Sequence, residues 1–114
     1  MLKANEQINM LGTEIIEALK EIEIIMTSLH KMGSYYAIKY HEGELNKDDM
    51  EYEKETTRFI DEWKVTHRLA KVRSILSANF DNTLGDDDMD DIERAMEGLK
   101  YWNKPGEDPN DIVD

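Results

Sequence analysis

Residues 8–36, INMLGTEIIEALKEIEIIMTSLHKMGSYY, carry the pattern that decides the fold. Ile8, Leu11, Ile15, Ala18, Ile22, Ile25, Leu29, Met32 and Tyr36 fall at alternating steps of three and four, a heptad stripe sustained for four repeats. Leu19 and Met26 widen that stripe beyond the narrow seam of a two-stranded coiled coil, so the spacing predicts a bundle helix. Asn5 is the expected N-cap. Gly33-Ser34 interrupts the run, since glycine inside a helix costs about 1 kcal/mol relative to alanine. The helix either stops there, or kinks and runs on through Tyr40 to a natural stop at Gly43.

Working outward, a second helix is expected to begin after Asn46 or Asp48. Thr56, Phe59, Ile60, Trp63 and Ala70 share one face, whereas Val65, Leu69, Val72, Ile75, Leu76 and Phe80 lie nearly opposite. The apolar direction swings by roughly 150° near Val65, so the helix either breaks there or is central and buried on two sides. No Gly or Pro lies between Trp63 and Leu76, which favours a continuous central helix. A third helix is predicted from Asp87 to Trp102, with Met89, Ile92, Ala95, Met96, Leu99 and Trp102 in one stripe and Pro105-Gly106 beyond its end. The expected fold is an all-α three- or four-helix bundle built on the long heptad helix and the two-faced helix. It forms one domain over residues 1–104, followed by an acidic, mobile tail at 105–114.

Charge is organised along the 114 residues as well as abundant. Residues 1–57 carry net −6, residues 58–80 net +3 and residues 81–114 net −9, for a total of −12. Six of the eleven residues from Asp81 to Asp91 are aspartate, yet Trp63 to Phe80 contains no acid. A balance this negative repels free nucleic acid and anionic membranes, and suits a protein partner with a basic surface. The chain has no cysteine, which removes disulfides, thiolate metal sites and cysteine nucleophiles together. It has no signal-like run and no long apolar stretch, so a cytoplasmic location is expected.

Tested for chemistry, the aspartate block fails as an EF-hand loop. Counted from Asp81, position 6 is Asp86 where glycine is needed, and position 12 is Ile92 where a bidentate acid is needed. Local electrostatics explains the block better, because acids crowding a helix start offset the helix dipole. None of His30, His41 or His67 has a glutamate three residues before it, as helical di-metal sites require. Glu14 and Glu17 resemble the first half of the magnesium-binding pattern of helical nucleotide pyrophosphohydrolases, but no second half follows. His30-Lys31-Met32-Gly33 resembles the motif of helical phosphotransfer domains with its lysine before the glycine missing. No catalytic, cofactor-binding or metal residue is therefore expected.

The expected interaction residues are the acids Asp86, Asp87, Asp88, Asp90, Asp91, Asp108 and Asp111 and the aromatics Tyr35, Tyr36 and Tyr40. Lys64, His67, Arg68 and Lys71 share one helical sector and form a basic surface that pairs with the protein's own acids, a second copy or a partner. In size, acidity and lack of catalytic motifs the chain resembles small phage anti-defence proteins and helical immunity proteins. That resemblance implies a non-catalytic inhibitor whose acidic surface, phosphate-like in the sharpest version, docks on a basic site. The alternatives are a helical assembly protein, including a homodimer formed through the heptad stripe, and a metal-dependent nucleotide hydrolase using Glu14 and Glu17.

Overall fold

The computed structural model describes residues 1–107, and at Lys47 the backbone alone. Among the described residues all regular secondary structure is helical, with no strand. Four α-helices follow in order: α1 (Gly12–His41), α2 (Glu51–Glu62), α3 (Val65–Ser77) and α4 (Asp91–Met96). Short 3-10 turns occupy Lys3–Asn5 and Lys47–Asp49, the second leading into α2.

 The chain divides into two compact units, one formed by Asn9–Asn79 and the other by Met1–Ile8 together with Phe80–Asp114.

In the 9–79 unit, α1 is the long helix that the heptad stripe predicts, although it starts at Gly12 rather than after Asn5. Leu11 is its extended N-cap residue and supplies no side-chain cap. The helix runs through Gly33-Ser34 without a break. A Cβ on Gly33 would lie 3.7 Å from the Tyr52 hydroxyl, an ordinary contact distance, so α2 packs beside this position without requiring glycine there. At the far end Gly43 takes the left-handed conformation (φ 76°). The Gly43 N–H donates to the Tyr40 carbonyl and the Glu44 N–H to the Lys39 carbonyl, which closes the helix as a Schellman cap.

The expected central helix is realised as two helices, a correction to the sequence reading. Lys64 sits in the left-handed region (φ 52°, ψ 50°) between α2 and α3, with neither Gly nor Pro to mark the site. The swing of the apolar face explains the break. Phe59 and Val72 lie on nearly opposite sides of an ideal continuous helix, and the break lets both point into the core. The carbonyl of Trp63, freed by the break, accepts a 2.8 Å hydrogen bond from Arg68 Nε.

Together α2 and α3 run back along α1. Tyr52 stacks by Tyr36, and Thr56 Oγ1 meets Met32 Sδ at 3.6 Å. Further along, Arg68 reaches Glu21 and Asn79 Nδ2 donates to the Asn9 carbonyl. The buried apolar residues of this unit are Ala18, Ile25 and Tyr36 from α1, Phe59 from α2 and Val72 from α3. It is a thin core.

In the other unit α4 is far shorter than the predicted 87–102 helix. It begins at Asp91 because Asp90 closes a capping box with Glu93, the Glu93 N–H donating to Asp90 Oδ1 at 2.7 Å and the Asp90 N–H to Glu93 Oε1 at 3.2 Å. It ends at Met96, where Glu97 turns extended and Gly98 takes φ 84°. Asn5 is a buried tether here rather than the N-cap of α1. Its Nδ2 donates to the Asp81 carbonyl and to Asp91 Oδ2, and its Oδ1 accepts from the Asp81 N–H.

Candidate interaction surfaces

The acidic block is a folded loop before it is a surface. Arg94 organises it, donating from Nε and Nη2 to the two oxygens of Asp87 at 2.8 Å each and from Nη1 to Asp91 Oδ1 at 2.8 Å. Its Nη2 also reaches the Met89 carbonyl. Asp91 is buried, and its Oδ2 accepts from the Leu2 N–H and from Asn5. Asp81 accepts from the Thr83 N–H and hydroxyl. Gly85 fits against this network because a Cβ there would stand 2.8 Å from Arg94 Nη2 and 3.1 Å from Asp87 Oδ1.

These contacts hold three carboxyls below their usual range. For Asp87 the cause is chiefly the Arg94 guanidinium, for Asp91 the Asn5 amide and then the Leu2 N–H, and for Asp81 the Thr83 hydroxyl and N–H. The Arg94 guanidinium is raised in turn by Asp87. Of the six aspartates, Asp81, Asp87, Asp90 and Asp91 thus serve the loop itself, while Asp86 and Asp88 stand exposed. Asp108 and Asp111, and the tail beyond Glu107, lie outside the described residues.

The expected tyrosine surface is split between core and cleft. Tyr36 is buried, and its hydroxyl titrates above the usual value through burial and then the charges of Glu51 and Glu55. Tyr35 is exposed, packs edge-on against Tyr36 and takes Lys39 Nζ 4.8 Å from its ring centre. Tyr40 lines a cleft of about 510 Å³ with Gly33, Tyr36, Ala37, His41 and Tyr52. Tyr52 is the aromatic residue of this cluster that the sequence reading did not single out.

The basic sector is partly neutralised within its own unit. Arg68 Nη1 pairs with Glu21 at 3.0 Å and Lys71 Nζ with the same carboxylate at 3.5 Å. Lys64 and His67 remain exposed beside them. Glu14 is half-buried and Glu17 exposed. Among the described residues no three acidic or histidine side chains converge as a metal cluster. Also among the described residues, no helix is long and apolar enough to cross a membrane.

Two surfaces escaped the sequence reading. Leu99 and Trp102 were expected on the buried stripe of a helix, but the chain leaves helical structure at Glu97 and both are exposed, Trp102 by 80%, as is Tyr101 beside them. Gly98 was the signal available, since glycine two residues after a helix commonly marks its end. The second surface is the flank of α1 and α3, where Ile15, Leu19, Met26, Leu69 and Leu76 are exposed despite their apolar spacing. Comparison with known protein families, with curated proteins and with solved structures returns no match for this chain.

Proposed function

We propose that this protein works without catalysis, by binding a protein partner whose surface is basic and partly apolar. The observation that carries this reading is the exposure of Tyr101 and Trp102, by 66% and 80%, in a strongly acidic unit. The segments 1–8 and 80–114 hold four Lys and Arg against thirteen Asp and Glu, net −9. Tryptophan and tyrosine are the residues that most often anchor protein interfaces, and a surrounding field of one sign steers the encounter. Because four of the six block aspartates are engaged internally, the acid acts through its summed field more than as a phosphate-like array. Covering a basic functional site on the partner, in the manner of an inhibitor or immunity-type protein, is the action this surface suits.

The test is affinity capture from the native host with the wild-type chain and with a Tyr101→Ala, Trp102→Ala double variant, each at low salt and at about 0.5 M salt. A protein with a basic surface should be retained by the wild-type chain at low salt, and lost both in the variant and at high salt. Retention that ignores both changes would count against this surface.

A further inference from the structure

We propose that the 9–79 unit is one half of a four-helix bundle and that the exposed flank of α1 and α3 is covered by the same flank of a second copy. The two sides of this helical layer differ in chemistry. Measured from the buried Ala18 and Ile25 at roughly 100° per residue, Glu21 lies about 50° to one side of α1. Ile15, Leu19 and Met26 lie on the other side, at roughly 70° to 110°. On α3, measured from the buried Val72, Arg68 and Lys71 fall on one side and Leu69 and Leu76 on the other. Antiparallel packing brings like sides together, as the Glu21–Arg68 and Glu21–Lys71 pairs record. One side of the layer is therefore closed by ions, and the opposite side is apolar along α1 and, apart from Arg73 at its edge, along α3.

Three observations choose a second copy as the occupant. The strip on α1 carries no charged residue from Leu11 to Tyr40, so it meets its own image without repulsion and offers nothing to a charged ligand. The whole unit is also near neutrality, with ten Lys and Arg against thirteen Asp and Glu, so two copies can approach on this side. Finally, the size is right. The 30 residues of α1 and 13 of α3 span about 45 Å and 20 Å, and at a width of about 10 Å each they present roughly 650 Å² in projection. A standard interface takes roughly 800 Å² of accessible area from each partner, and side-chain relief raises accessible area above projection. A two-fold axis closes such a contact, so it does not propagate to further copies.

The proposal concerns a different unit from the partner-binding surface above and stands or falls separately. Sedimentation of the full chain at micromolar concentration, with wild type, Leu19→Asp, Leu69→Asp and the ion-side control Glu17→Gln, tests it. Wild type and Glu17→Gln should sediment at twice the 13.3 kDa chain mass. Each aspartate variant should weaken the dimer by about 100-fold and remain helical, since the replaced leucines are half-exposed in the single chain. A monomeric wild type, or a dimer that both aspartate variants leave intact, overturns the proposal. If the variants unfold instead, the wild-type melting temperature decides. A rise with protein concentration supports the dimer, and a constant value overturns it.

Discussion

Asn5 and Asp91, 86 positions apart in the chain, are joined by a 2.7 Å hydrogen bond from the Asn5 amide to a buried carboxylate. The same asparagine also gives to and takes from the backbone of Asp81, so one side chain satisfies three groups of the acidic loop. Charge alone would not assemble this loop, because its aspartates repel one another. Neutral donors and a single arginine hold them together.

Asn5→Ala should therefore cost about 2 kcal/mol in the stability of the 1–8/80–114 unit, the range expected when buried partners lose their hydrogen bonds. Amide hydrogen exchange reads this directly. The Asp81 N–H should exchange faster, and the amides of α1 should be unchanged.

Acid should loosen this unit by a calculable route. Asp81, Asp87 and Asp91 are all held below their usual range when folded. Their contribution is present above the unfolded carboxyl value of about 3.9 and is lost as pH falls below it, because the unfolded chain then binds more protons than the folded one. Amide exchange followed from neutral pH to about pH 2 should show the loss on that acid limb. In Arg94→Gln the limb should be shallower, since Asp87 loses the guanidinium that depresses it.

Gly85→Ala should destabilise the same loop by about 1 to 2 kcal/mol, the usual cost of forcing a methyl into filled space. The new Cβ would meet Arg94 Nη2 at 2.8 Å, and that nitrogen is already committed to Asp87 and the Met89 carbonyl. Native-state exchange of the Gly85 and Asp88 amides, which donate to the Met89 and Gly85 carbonyls, checks it. Gly12→Ala is the control, because nothing lies within 4 Å of a Cβ there.

Lys64→Gly should act in the opposite direction. A left-handed lysine costs about 1 kcal/mol that glycine does not, so the variant should gain roughly that amount. Denaturation monitored by helical circular dichroism gives the sign. A loss of stability would mean that the lysine side chain contributes more than its backbone strain removes.

The helical class and the long α1 were legible because periodicity reports on a helix face directly, and Gly43 behaves as a stop because its φ is one that other residues avoid. The break at Lys64 was legible only as a swing in apolar direction. Its conformation is imposed by where Phe59 and Val72 must point, and no local residue announces it. The third helix was overread for the related reason that Leu99 and Trp102 keep helical spacing after the backbone has left the helix at Glu97. The Asn5–Asp91 link had no signal at all. An asparagine near a predicted helix start is a good cap on local grounds, and only a partner 86 residues away redirects it.

The division of the chain into Asn9–Asn79 and the paired segments Met1–Ile8 and Phe80–Asp114 sets an order of events during synthesis. Residues 1–8 leave the ribosome before residues 9–79, yet Asn5 finds Asp81 and Asp91 only after those positions have also emerged. All of α1, α2 and α3 precede them and can fold in the interval. The 1–8 segment is thus fixed later than the helices that follow it in the chain, and the acidic loop closes only when both of its segments are present.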